Sequence, residues 1–144
     1  MEPEDNKQYL NKQYWDDRYE VEENYEWLVS YTQIKPELDP LLTTESSILV
    51  LGCGNSSLSL DLFTGGYVDI TSIDISDILI DKLTEKHRDK PLKWVHMDML
   101  DLKFLPSTFD VAIDKATMDV LQTDNEDPWD PNPCLLYTSD AADE

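Results

Sequence analysis

Basic residues are scarce: 11 Lys and Arg stand against 31 Asp and Glu, for a formal net charge of -20 over 144 residues. Phosphate backbones are held by Lys and Arg, so nucleic acid is excluded as the main partner. A solvated acidic surface or a basic protein partner suits the charge. Cysteine is nearly absent, and Cys53 and Cys134 form no framework, which predicts a reducing, cytoplasmic compartment. The two histidines, His87 and His96, are isolated in the sequence, and no metal site is expected. No apolar run approaches the length of a membrane span, and the opening "MEPEDNKQYLNKQYW" lacks the apolar core of a secretory signal, so no membrane association is expected. There are no internal repeats. Glycine is down to four residues, and two of them, Gly52 and Gly54, stand one residue apart. The length sets a limit of one domain.

What is present is an alternation of apolar runs and helical patterns. "SSILVLG" is a continuous apolar run, expected of a strand buried on both faces of a parallel sheet. "NSSLSLDLF" offers an Asn/Ser cap and then Leu58 and Leu62 at helical spacing, with Gly65 and Gly66 to end it. "VDITSID" predicts a second strand, and Ser76 a cap for a helix through Ile80, Leu83 and His87 towards Lys90. "LKWVHMD" and "FDVAIDK" predict the third and fourth strands. Upstream, Tyr9 to Tyr31 mixes aromatics with acids; Trp15 and Tyr19 are four apart and share a face if helical. Residues 1–8 are expected to be loose, and Pro36 and Pro40 to punctuate the stretch after Tyr31. This order predicts an α/β fold with a parallel sheet, whose ligand lies at the carboxyl ends of the strands.

The turn "GCGNSS" sits at such an end. Glycine at 52 and 54 removes side chains that would hold a ligand off the backbone. A dinucleotide fingerprint would place a third glycine at 57, where Ser57 stands instead. Asp74 ends the second strand, about where an acid binds ribose hydroxyls, though an acid in "DISD" also fits a helix start. Asp98 ends the third strand; its carboxylate can accept from an adenine amino group while Met99 packs on the ring. Glycine, acid and acid along one sheet edge suit an adenosine ligand without a pyrophosphate.

With "YWDDRY", "YEW", "ILVLGCGNSSLS", "TSIDIS", "MDML", "FDVAIDKATMDVL" and "DPW", the chain from about Tyr14 to about Trp129 resembles the class I S-adenosylmethionine-dependent methyltransferases. Within them it is most similar to the elongation factor 1-alpha lysine methyltransferases. The resemblance implies a Rossmann-like sheet with S-adenosyl-L-methionine as cofactor and elongation factor 1-alpha as protein substrate. It implies that Trp15, Tyr19 and Trp27 lie against the cofactor and that Gly52 approaches its methionine portion. It further implies that Asp74 and Ile75 hold the ribose and flank the adenine, that Asp98 and Met99 hold the adenine, and that Lys115 touches the cofactor. The reaction implied is attack of a neutral lysine amine on the sulfonium methyl. Asp114 is the candidate for orienting that amine, with a purely structural role equally open. Ala116 and Asp114 depart mildly from the family's usual Gly and Glu.

Three segments are expected. Residues 1–46 form an aromatic, acidic helical segment that contributes to the cofactor site. Residues 47–133 form a partial methyltransferase domain, C-terminally truncated, with about four of seven strands. Residues 134–144, "CLLYTSDAADE", read as one frame of a translated sequencing adapter rather than native sequence. On this reading the chain as given is inactive and its parent is the enzyme. A non-catalytic cofactor-binding fragment and an NAD-dependent oxidoreductase are the alternatives.

Overall fold

The computed structural model describes residues 6–26 and 30–115. Trp27, "DPW" and residues 134–144 therefore lie outside the described residues. Among the described residues, four parallel strands form one sheet: β1 (Ser47–Leu51), β2 (Asp69–Asp74), β3 (Lys93–His96) and β4 (Val111–Asp114), in the order β3-β2-β1-β4. Four α-helices accompany them: α1 (Lys12–Val21), α2 (Tyr31–Leu38), α3 (Leu58–Thr64) and α4 (Asp77–Lys86). Short 3-10 turns cover Asn6–Leu10 and Asp39–Leu41.

The apolar run of β1 makes it the middle of the sheet. Ile48 pairs with Ile70 on one side and with Val111 on the other. Alternation along the strand then sorts the core into two faces. Ile48, Val50 and Ile70 point into a cluster with Tyr19, Leu58, Leu62, Leu79 and Ile80, which come from α1, α3 and α4. Leu49, Leu51 and Ile73 point the other way, where Phe109, Phe104, Met97 and Met99 of the β3–β4 connection cover them. Phe104 and Phe109 meet edge to face at 4.8 Å.

Sequence signals and structure part at four places. β3 stops at His96, two residues short of Asp98. The Met97 amide still donates to the Asp74 carbonyl, but Asp98 then folds back: its Oδ1 accepts from the Leu100 amide at 2.9 Å, and its carbonyl from Asp101. An aspartate that bonds its own backbone two residues on ends a ladder. Helix α4 closes at Lys86 rather than near Lys90, because the His87 amide makes the last bond, to Leu83. Pro36 lies inside α2 instead of ending it; its ring fixes a helical φ and removes only the bond to the Thr32 carbonyl. Residues 6–8, expected to be loose, belong to the 3-10 turn that carries Tyr9 into the core.

The chain runs outward from β1 through β2 to β3 and returns to β4 on the other side of β1. The switch point of the sheet thus lies between β1 and β4, at the end of β1 where the glycine turn stands.

Candidate cofactor site

The turn after β1 is drawn tight by its own neighbours. Gly52 and Gly54 both take left-handed backbone, with φ of 59° and 53°. The Cys53 amide donates to the Ile73 carbonyl at 2.9 Å, which carries the β1–β2 pairing into the turn. The Gly54 amide donates to Asp74 Oδ2 at 2.9 Å, and the Ser76 amide to Asp74 Oδ1 at 3.0 Å. Asp74 therefore clasps the glycine turn to the start of α4. Burial pushes its carboxyl above the ordinary carboxylate range, against the amides of Ser76, Gly54 and Ile75, which favour the charged form. A carboxylate offers about four lone-pair sites, so two amides do not exhaust it.

The N-terminal segment closes the turn from above. Trp15 stacks with Tyr19 at 5.6 Å and with Tyr9 at 5.5 Å, and its indole N–H donates to the Tyr9 carbonyl at 2.6 Å. Arg18 is buried beside them: it pairs with Glu22 at 3.0 Å and lies over the rings of Trp15 and Tyr25. Asp16 is buried too; it accepts from the Ser76 hydroxyl and pairs with Lys12 at 2.6 Å, joining α1 to the cap of α4. All of "YWDDRY" but the exposed Asp17 is thus explained by packing and by the site together. Asp16→Ala should lower the unfolding free energy by about 1–3 kcal/mol, since it strands the buried Ser76 hydroxyl; urea denaturation followed by circular dichroism measures it.

These elements frame a cleft of about 110 Å³ that is partly open to solvent. Trp15, Tyr19, Gly52, Gly54, Asp74, Ile75, Asp98, Met99 and Lys115 all line it. The residues expected to hold adenine lie past β3: Asp98 is exposed, Met99 half-buried, and His96 Nε2 meets the Ile75 carbonyl at 3.0 Å. Lys115 stands just past β4. Asp114 ends β4 opposite Leu51 and is not among the lining residues. Sequence reasoning missed Tyr9, Ser56 and Glu26. Tyr9 was legible as a third aromatic near Trp15. Glu26 carried no local signal, because everything it touches is far away in sequence.

Glu26 caps the first turn of α3. The Ser57 amide donates to it at 2.6 Å, the Ser56 and Ser57 hydroxyls at about 3 Å, and the Lys115 ammonium pairs with it. Burial alone would raise its carboxyl, but Lys115 and the serine donors outweigh it and hold Glu26 below the usual range. Three amides that a phosphate would use at this turn are therefore engaged: Gly54 by Asp74, Ser57 by Glu26 and Leu58 by the Ser56 hydroxyl. A pyrophosphate here would face two carboxylates rather than a helix N-terminus.

Residues 48–128, more than half of the chain, match the methyltransferase domain family model. The chain belongs to this methyltransferase family, and S-adenosyl-L-methionine is the cofactor that membership implies. It is 39% identical over 142 residues to EEF1A lysine methyltransferase 4 of Mus musculus, covering 96% of this chain and 56% of that protein. It is 34% identical over 129 residues to the eEF1A lysine and N-terminal methyltransferase of the same organism, covering 87% of this chain and 18% of that protein. The chain thus spans about half the length, or less, of these relatives. Among solved structures, a chain from work on conversion of a disulfide bond into a thioacetal group during echinomycin biosynthesis shares the fold. Its TM-score is 0.60 at 23% identity, covering 78% of this chain and 53% of that one.

The residues present fit the implied cofactor. A buried acceptor stands at the strand end for hydroxyl donors, side-chain-free backbone lies beside it, and no cationic cradle for phosphates surrounds the turn among the described residues. Asp74 and Asp98 against Lys115 leave the cleft lining net negative, which suits a sulfonium.

Proposed function

We propose that the protein is an S-adenosylmethionine-dependent protein-lysine N-methyltransferase that acts on elongation factor 1-alpha in the cytoplasm. The observation that carries the cofactor half is the engagement of the Gly54 and Ser57 amides by Asp74 and Glu26. It favours a nucleoside without a pyrophosphate over a dinucleotide, and so a methyl donor over NAD. The acceptor half is supported by the names of the relatives, which the chain matches over most of its own length. The compartment rests on a pair of cysteines that builds no disulfide framework.

The cofactor would supply an activated methyl on a sulfonium with its leaving group attached. Asp74 would hold the ribose, Ile75 and Met99 would sandwich the adenine, and Asp98 would accept from its amino group. Trp15, Tyr19 and Trp27 would shield the sulfonium side from water. The protein's task is then alignment and desolvation of a lysine amine that has lost its proton. Asp114, at the end of β4 beside Lys115, is the candidate that orients this amine.

Calorimetry with S-adenosylhomocysteine and with NADH tests the cofactor half, with binding expected of the first alone. Transfer of radiolabelled methyl to elongation factor 1-alpha, measured with the full-length protein, tests the acceptor half. Tight NADH binding would support the oxidoreductase alternative instead. Cofactor binding without transfer would support a non-catalytic role.

A further inference from the structure

Glu26 does not line the cleft, yet two residues that do, Ser56 and Lys115, are both tied to its carboxylate. The partners are 30 and 89 positions away in the chain, one before α3 and one after β4. Capping α3 needs only the bond from the Ser57 amide. The Lys115 pair is a further contact, and it reaches across the switch point of the sheet. A lysine ammonium rides on a flexible four-carbon stem, so a fixed partner decides where its charge sits. The Lys115 side chain is only 10% exposed, against 32% for Glu26, so the ammonium of this pair lies largely out of solvent.

Strand order says which part of a ligand would meet that charge. Asp98 and Met99 follow β3, and Asp74 ends β2 with Ile75 next, so base and sugar occupy that side. What extends beyond the sugar must cross the glycine turn towards β1 and β4, where Ser56 and Lys115 stand. In the cofactor proposed above, that portion is the zwitterionic amino acid.

We propose that Glu26 is a positioning residue for the amino-acid end of the cofactor: it fixes the Lys115 ammonium against the Ser56–Ser57 turn, so that this end of the cleft is assembled before the ligand arrives. The proposal rests on the cofactor reading. It requires no contact between Glu26 and the ligand.

Two ligands separate the possibilities. S-adenosylhomocysteine carries the amino acid; 5′-methylthioadenosine keeps the adenosine and thioether but lacks it. Glu26→Gln should weaken the first by about tenfold and leave the second unchanged. Lys115→Met should do the same, and the double variant should lose no more than either single variant, as expected of residues that act as one unit. Equal loss for both ligands would make Glu26 a mere support of the fold and overturn the proposal. So would unchanged affinity for both, or a double variant whose losses multiply. Should Glu26→Gln not fold, Glu26→Asp keeps the charge with a shorter reach, and equal affinity ratios for the two ligands would overturn the proposal there. A wild-type chain that binds neither ligand would instead overturn the cofactor reading itself.

Discussion

Asp74→Asn will weaken S-adenosylhomocysteine by roughly 1–3 kcal/mol, about 5- to 150-fold. The carboxylate sits at the end of β2 with both oxygens bound to backbone amides, and the residue lines the cleft where ribose hydroxyls are expected. An amide side chain offers one acceptor oxygen in place of two, so either Gly54 or Ser76 loses its partner as well. The pH dependence separates ligand binding from loop support. Burial raises the folded pKa of Asp74 above its value of 3.8 in the open chain. An acid raised in this way costs stability when ionised: the cost is full above the folded pKa and vanishes below the unfolded one. Hydroxyl donors from a ligand favour the ionised form. Wild-type affinity should therefore fall as pH drops through the raised pKa, and the Asn variant should show no such step. Calorimetry across that range reads both effects; unchanged affinity in the variant would remove Asp74 from the site.

The uneven legibility of this fold comes from how far each contact reaches along the chain. The run Ile48–Leu51 needed no partner to be recognised, since four apolar residues in a row, followed at once by a glycine turn, suit a strand buried on both faces. Ser76 is a local signal too: its hydroxyl accepts from the Leu79 amide three residues on, as a cap does. The spacing of Trp15 and Tyr19 foretold their stack. Glu26 is the opposite case. It serves as the cap of α3 from 31 positions away, and the serines in "NSSLSL" suggested a cap supplied by the turn itself. Ser57 makes no such bond; its place is taken from outside. The strand-end reading of Asp98 failed for a third reason. Its position after an apolar run matched a strand end, but an aspartate bonds its own backbone more cheaply than it continues a ladder, and the Leu100 amide takes it. The burial of Arg18 has local partners, Glu22 four residues on and Trp15 three before, with Tyr25 seven on; a buried cation needs such acids and rings around it.

Gly54→Val will do more damage than any other single change at the turn. Position 54 has a φ of 53°, where a side chain costs roughly 1–2 kcal/mol, and more for a branched one. A Cβ there would also stand 3.2 Å from the Tyr19 hydroxyl. That hydroxyl is the free end of a side chain, but Tyr19 is buried and stacked on Trp15, so it yields only by moving the aromatic wall of the cleft. Two losses then combine. The backbone leaves the left-handed region and takes the Gly54 amide from Asp74, and Tyr19 shifts away from the turn. Ligand affinity should fall by roughly 3 kcal/mol or more, and thermal stability should fall with it. Gly66→Ala is the control. Its φ of 107° imposes backbone strain of the same kind, but the nearest atom to its Cβ is a Thr44 methyl at 3.9 Å and it does not line the cleft. It should lower the melting temperature and leave S-adenosylhomocysteine affinity intact. Equal affinity losses in the two variants would mean that the turn's glycines serve the fold alone and that the ligand lies elsewhere.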